Sequence, residues 1–64
     1  MDLSERMIRY RAKNRLTQKQ MAEQCGVSLQ TICNVETGQQ TPGKMTMTKI
    51  LLVLEEDENN EVRG

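Results

Sequence analysis

The stretch TQKQMAEQCGVSLQTICNVETG, residues 17–38, holds two short apolar-periodic segments with a single glycine between them. Each segment is too short to form a stable helix alone, because isolated helices below about 12–15 residues are marginal in water. Two helices joined by only two or three residues must cross steeply and pack on a shared core. The stretch therefore predicts a tight helical corner that the rest of the chain has to support.

Local signals place the first helix of this corner. Thr17 and Gln20 form a T-x-x-Q capping box, and Leu16 and Met21 have the spacing of a hydrophobic staple. Gly26 is suited to end the helix, because a left-handed C-cap favours glycine. These signals predict a helix from Thr17 to Cys25.

The same signals recur one segment later. Ser28 is an N-cap residue, with Val27 and Ile32 as its staple pair, and Gly38 follows the last periodic position. Ala22, one turn before the first glycine, is small enough for the close approach of two crossing helices. A third helix is therefore predicted from Ser28 to Gly38.

Two further helices flank the corner. Residues 2–14 have 3–4 apolar spacing, with Asp2 and Glu5 as a possible capping box. After the loop GQQTPGK, a fourth helix is predicted from about Met45 to Glu56. Its apolar face is expected to consist of Met47, Ile50, Leu51 and Leu54. The predicted fold is all-α, a compact bundle of four or five short helices. One domain spans residues 1–56, and a frayed acidic tail spans residues 57–64.

Composition limits the classes of function. The 64 residues have no net charge, yet residues 1–20 hold six cations against two acids, and residues 55–61 hold five acids. This asymmetry is compatible with a nucleic-acid partner. Without histidine, and with Cys25 and Cys33 as the two cysteines, the chain offers no structural zinc site and no disulfide framework. We expect reduced thiols, a cytoplasmic protein, and no cofactor, small-molecule ligand or membrane span.

An enzymatic function is not favoured by the sequence. It has no histidine, no serine or cysteine beside a plausible base, and no phosphate-binding loop. Paired carboxylates occur only in the expected tail, which would not hold them in place. We therefore expect no catalytic residues.

The third helix presents an unusual outer face. A projection at 100° per residue puts Leu29, Ile32 and Val35 on the inner side. The outer side then holds Gln30, Asn34 and Thr37, with Thr31 and Cys33 on its flanks. This face is polar but uncharged, whereas a solvated helix face usually carries Lys and Glu. Amide side chains can bond an adenine edge in two places, while nearby cations suit phosphate.

The motifs resemble a known family. LTQKQMAEQCGVS, TICNVETG and the following Pro42, within residues 7–54, resemble the lambda-repressor-like helix-turn-helix domains of Cro/cI type, the XRE family. The resemblance implies a regulator that binds operator DNA as a dimer, reading the major groove with the third helix. We expect the base contacts to come from Gln18, Ser28, Leu29, Gln30, Thr31 and Asn34. We expect the phosphate contacts to come from Arg11, Arg15, Lys19, Thr37, Gln39, Thr41 and Lys44. Arg11 and Glu36 match a structural pair of the family that links the first and third helices.

The chain departs from the family pattern in three places. Leu29 replaces a residue that is more often polar, and it is suited to a thymine methyl group. Lys44 replaces a usually buried apolar residue, which shifts the expected helix start toward Met45. The fifth helix that many members use for dimerisation has little apolar material here, so we expect a weak homodimer through Leu52 and Val53 instead.

Two functions remain open at this stage. The first is a sequence-specific regulator of transcription, a repressor, bound to a palindromic double-stranded operator. The alternative is a protein-interaction or antitoxin-like regulatory module with the same fold, in which a partner docks on the acidic tail or the fourth helix.

Overall fold

The computed structural model describes the backbone of residues 2–63 and the side chains of residues 2–59. Over this range the chain forms four helices and no strand: α1 (Leu3–Asn14), α2 (Gln18–Cys25), α3 (Leu29–Thr37) and α4 (Lys44–Arg63). The predicted all-α bundle is confirmed. Met1, Gly64 and the side chains of residues 60–63, including Glu61 of the expected tail, lie outside the described part.

The predicted helix starts are present at α2 and α3. The Thr17 hydroxyl accepts the Gln20 N–H at 3.0 Å, and the Gln20 amide oxygen accepts the Thr17 N–H at 2.9 Å. The Ser28 hydroxyl accepts the Thr31 N–H at 3.1 Å. Gly26 and Gly38 end the two helices with φ of 73° and 74°, in the left-handed region that favours glycine. Local hydrogen bonds thus define both sides of the corner.

The C-cap of α1 is a residue that no sequence signal identified. Arg15 is the C-cap of α1, with φ 55° and ψ 46°, and is the one described non-glycine residue with positive φ. Its N–H donates to the Ala12 carbonyl oxygen, and the Leu16 N–H donates to the Arg11 carbonyl oxygen at 2.9 Å. A side chain in this conformation carries a steric cost of about 1–2 kcal/mol.

All four helices contribute to one small core. Its buried residues are Met7, Met21, Ala22, Cys25, Ile32, Val35, Ile50 and Leu54. Met47 and Leu51, expected in this core, are only partly buried. Val53 packs against the core, so its expected place on the outer side of α4 is wrong, whereas Leu52 is 63% exposed. The inward stripe of α4 thus runs through Ile50, Val53 and Leu54.

Helix α4 is longer than expected at both ends. It begins at Lys44 rather than Met45 and continues to Arg63 rather than ending at Glu56. Two ion pairs hold the continuation against α1: Arg6 binds Glu58 through both carboxylate oxygens at 2.8 and 3.0 Å, and Lys13 lies 3.3 Å from Asp57. The basic first helix and the acidic residues of α4 therefore neutralise each other in part.

Candidate nucleic-acid interface

The outer face of α3 is polar, uncharged and accessible. Ser28, Leu29 and Gln30 are exposed, and Thr31 and Asn34 are half-buried. Leu29 is 46% exposed, so the projection that placed it with the inner residues is wrong. The first turn of α3 therefore presents one apolar side chain among hydrogen-bonding groups.

Three amide side chains form a chain of hydrogen bonds along this face. The Gln30 amide nitrogen donates to Asn34 Oδ1 at 2.9 Å, one helical turn further along. Asn34 Nδ2 in turn donates to Gln40 Oε1 at 3.3 Å. Each amide keeps further bonding capacity, because its oxygen has two lone pairs and its nitrogen two hydrogens.

The N-terminal turn of α3 is held by two hydroxyls. Ser28 Oγ and Thr31 Oγ1 lie 2.9 Å apart and are hydrogen-bonded. Ser28 also caps the helix, as described above, so part of its bonding capacity is already used within the protein. These hydrogen bonds hold the first turn of α3, from which Leu29 and Gln30 project.

A buried carboxylate ties α3 to α1 and α2. Glu36 accepts from Arg11 Nε at 2.6 Å, from Arg11 Nη2 at 2.9 Å and from Gln18 Nε2 at 3.0 Å. Its side chain is 7% exposed, and that of Arg11 is 23% exposed. Arg11 Nη1 also donates to the Leu16 carbonyl oxygen at 3.1 Å. The hydrogen bonds with Glu36 raise the pKa of the Arg11 guanidinium above its ordinary value.

The structure brings Gln18 into the same network. Its amide nitrogen donates to Glu36, and its amide oxygen accepts a hydrogen bond from Cys33 Sγ at 3.3 Å. Arg11 likewise uses Nε, Nη1 and Nη2 inside the protein. Both side chains therefore fix the position of α3, and only their remaining bonding capacity is available to an external partner.

The other expected phosphate contacts lie on the surface. Arg15, Lys19 and Lys44 are exposed, and within the described part of the chain their side chains make no ion pair. In contrast, Arg6, Arg11 and Lys13 are each paired with an acid. Fewer cations of residues 1–20 are therefore available to bind phosphate than the sequence suggests.

The last residue of α3 and the loop after it carry the remaining candidates. Thr37, Gln39 and Thr41 are all exposed. The Thr37 hydroxyl donates to the Cys33 carbonyl oxygen at 3.0 Å, and the Gln39 N–H donates to the Asn34 carbonyl oxygen at 3.1 Å. The left-handed turn at Gly38 folds this loop back beside α3.

Sequence reasoning missed two residues that support this surface. Ser4 Oγ donates to the Glu36 carbonyl oxygen at 2.7 Å and so joins α1 to the end of α3. Gln40, with its hydrogen bond to Asn34, lines an open groove between α3 and the start of α4. Neither residue belongs to a sequence motif. Ser4 contacts a residue that is distant along the chain, and Gln40 contacts Asn34 across a loop.

A model of the helix-turn-helix family, of Cro/cI (XRE) type, matches residues 7–59. The chain belongs to this family. Helix-turn-helix domains of this type bind double-stranded DNA, serve as transcription regulators and are not typically catalytic. Neither a curated protein nor a solved structure is significantly similar to the chain. Among the described residues, no helix is long and apolar enough to cross a membrane.

Proposed function

We propose that this helix-turn-helix protein is a sequence-specific repressor of transcription that acts in the cytoplasm as a weak homodimer on a palindromic operator. The observation that carries the proposal is the outer face of α3. It presents the Gln30 and Asn34 amides beside an exposed Leu29, and the helix is anchored from behind by Glu36. A rigid helix with an uncharged, hydrogen-bonding face is suited to the edges of base pairs.

The proposed roles follow from position. Gln30 and Asn34 recognise bases directly, Leu29 contacts a thymine methyl group, and Ser28, Thr31 and Gln18 contribute from the edge of the same surface. Arg15, Lys19 and Lys44 bind phosphates as charges, and Thr37, Gln39 and Thr41 bind them through neutral groups. Phosphate contacts set the register of the protein on DNA, while base contacts select the sequence.

The number of cations on phosphate sets the salt dependence of DNA binding. With three cations on phosphate in each protomer, the slope of log affinity against log salt is roughly −3 per protomer, at about −0.9 for each contact. The ion-paired Arg6 and Lys13 contribute nothing to this slope in the proposal, because their charges are already matched by Glu58 and Asp57.

The proposed dimer contact lies on the outer face of α4. Leu52 is 63% exposed, with the cation Lys49 three residues before it and the acid Glu55 three residues after it. A two-fold antiparallel pairing centred on Leu52 brings each Lys49 opposite Glu55 of the mate, which makes this face self-complementary. Val53 packs against the core of its own protomer and is left out of this contact. Such a contact would allow two copies of α3 to enter the major groove about one DNA turn, ~34 Å, apart.

Selection of bound duplexes from a random pool tests the proposed function. The proposal expects a recovered palindromic sequence, with tighter binding to that site than to scrambled DNA of equal length at one salt concentration. A protein that binds no DNA even at low salt would instead support the protein-interaction module, for which the exposed Leu52 face of α4 is the candidate docking surface.

A further inference from the structure

The series of hydrogen-bonded side-chain amides on α3 continues into the loop after the helix. Beyond Gly38, which has φ 74° and ψ 16°, the chain turns back and brings Gln40 beside Asn34. Gln40 Oε1 accepts from Asn34 Nδ2 at 3.3 Å, while Asn34 Oδ1 accepts from Gln30 Nε2 at 2.9 Å. Gln40 therefore contacts a proposed base-reading side chain from outside the recognition helix.

These two bonds couple the orientation of the Asn34 amide to the orientations of the Gln30 and Gln40 amides. To bond an adenine edge in two places, an amide must direct its oxygen to the N6 amino group and its nitrogen to N7. If the Asn34 amide alone turned by 180°, its donor Nδ2 would face the donor Nε2 of Gln30. Its acceptor Oδ1 would then face the acceptor Oε1 of Gln40. Both bonds would be lost. Turning all three amides together preserves both bonds, so the three side chains change orientation as one unit.

We infer that Gln40 is a positioning residue for sequence recognition: its bond opposes a turn of the Asn34 amide by itself and so sharpens the base preference at the position that Asn34 reads. This inference rests on the proposed function. Asn34 keeps one hydrogen on Nδ2 and one lone pair on Oδ1 while it is held, which is the pair of groups that an adenine edge needs. Gln40 itself need not touch DNA.

The first measurement uses the free protein, without DNA. In ¹⁵N-labelled protein, Gln40→Ala should shift the side-chain amide signals of Asn34. Gln39→Ala is the matched control, since Gln39 is adjacent, exposed and linked to Asn34 only through its backbone N–H. Asn34 signals that respond equally to both substitutions, or to neither, would overturn the inference.

The second measurement uses the DNA site selected by the wild-type protein. The base pair read by Asn34 is located first: it is the position at which the Asn34→Ala variant no longer prefers one base pair over the others. At that base pair, Gln40→Ala should lower the ratio of affinities for preferred and substituted DNA by about threefold to tenfold, the equilibrium equivalent of one ordinary hydrogen bond. Gln39→Ala removes a proposed phosphate contact, so it should weaken binding to both DNAs alike and leave this ratio unchanged.

A conservative variant separates orientation from mere contact. Gln40→Glu keeps an acceptor facing Asn34 Nδ2, so it should retain the wild-type ratio even though its negative charge weakens binding to every sequence. Two results would overturn this inference but not the proposed function. In the first, Gln40→Ala keeps the wild-type ratio of affinities for preferred and substituted DNA. In the second, Gln40→Glu lowers that ratio as much as Gln40→Ala does. A wild-type protein without any sequence preference would overturn the proposed function, and this inference with it.

Discussion

The ion pair between Arg11 and Glu36 is where the structure makes its strongest prediction about stability. Arg11→Ala removes two of the three hydrogen bonds that the Glu36 carboxylate accepts, and leaves only the bond from Gln18. Since the Glu36 side chain is 7% exposed, its charge would remain close to the core without a counter-charge. Breaking a deeply buried pair costs about 3–5 kcal/mol.

The expected cost here is somewhat lower. The Arg11 side chain is itself 23% exposed, so its truncation admits water to the carboxylate. We therefore expect a loss of about 2–3 kcal/mol, which for a domain of this size lowers Tm by roughly 10–20 °C. Replacing both residues with leucine should be milder than Arg11→Ala, because no buried charge is then left unpaired.

Thermal and urea unfolding followed by circular dichroism measure this loss. Arg6→Ala is the matched control, because it also removes an arginine of α1 that binds a carboxylate through two oxygens, but Glu58 is 48% exposed. The control should lose less than about 1 kcal/mol. If Arg11→Ala loses no more than Arg6→Ala, the reasoning from burial is refuted and the pair is a surface contact.

The remaining predictions concern single surface positions. Arg15→Gly should be more stable than Arg15→Ala by about 1 kcal/mol, because only glycine relieves the left-handed conformation, and equal Tm values would contradict this strain. Lys19→Ala should weaken binding to all DNA sequences alike and flatten the log–log salt slope by roughly 0.9 per protomer, about 1.8 for the dimer, whereas an unchanged slope would remove Lys19 from the phosphate contacts. Leu52→Glu should leave Tm nearly unchanged and abolish the dimer on a palindromic site in sedimentation; a variant that still sediments as a dimer would exclude α4 as the interface.

The helical corner could be predicted because its signals are local. Thr17, Gln20 and Ser28 form their capping bonds within three residues, and Gly26 and Gly38 adopt the conformation that their type favours. Such bonds depend little on the rest of the fold, so sequence spacing alone is sufficient to place them. The outward direction of Gln30 and Asn34 follows from helical periodicity once the start is known.

Other features depend on contacts between distant segments and could not be predicted in the same way. The acidic residues after Glu56 suggest a frayed end when taken alone, yet Asp57 and Glu58 pair with cations of α1 more than forty positions earlier along the chain. Arg15 shows the limit of residue preferences, because its left-handed conformation is imposed by the join between α1 and α2. The contact of Gln40 with Asn34 depends on how a loop folds back, which no motif encodes.

The most direct test of the account compares specific and nonspecific binding by variants of α3. Affinities of wild type, Gln30→Ala and Asn34→Ala are measured on the selected site and on scrambled DNA at one salt concentration. If α3 reads bases, each substitution weakens binding to the selected site by about 1–3 kcal/mol per half-site and leaves scrambled DNA nearly unaffected, with the fold intact by circular dichroism. Equal losses on both DNAs would contradict the claim that this face of α3 selects the sequence.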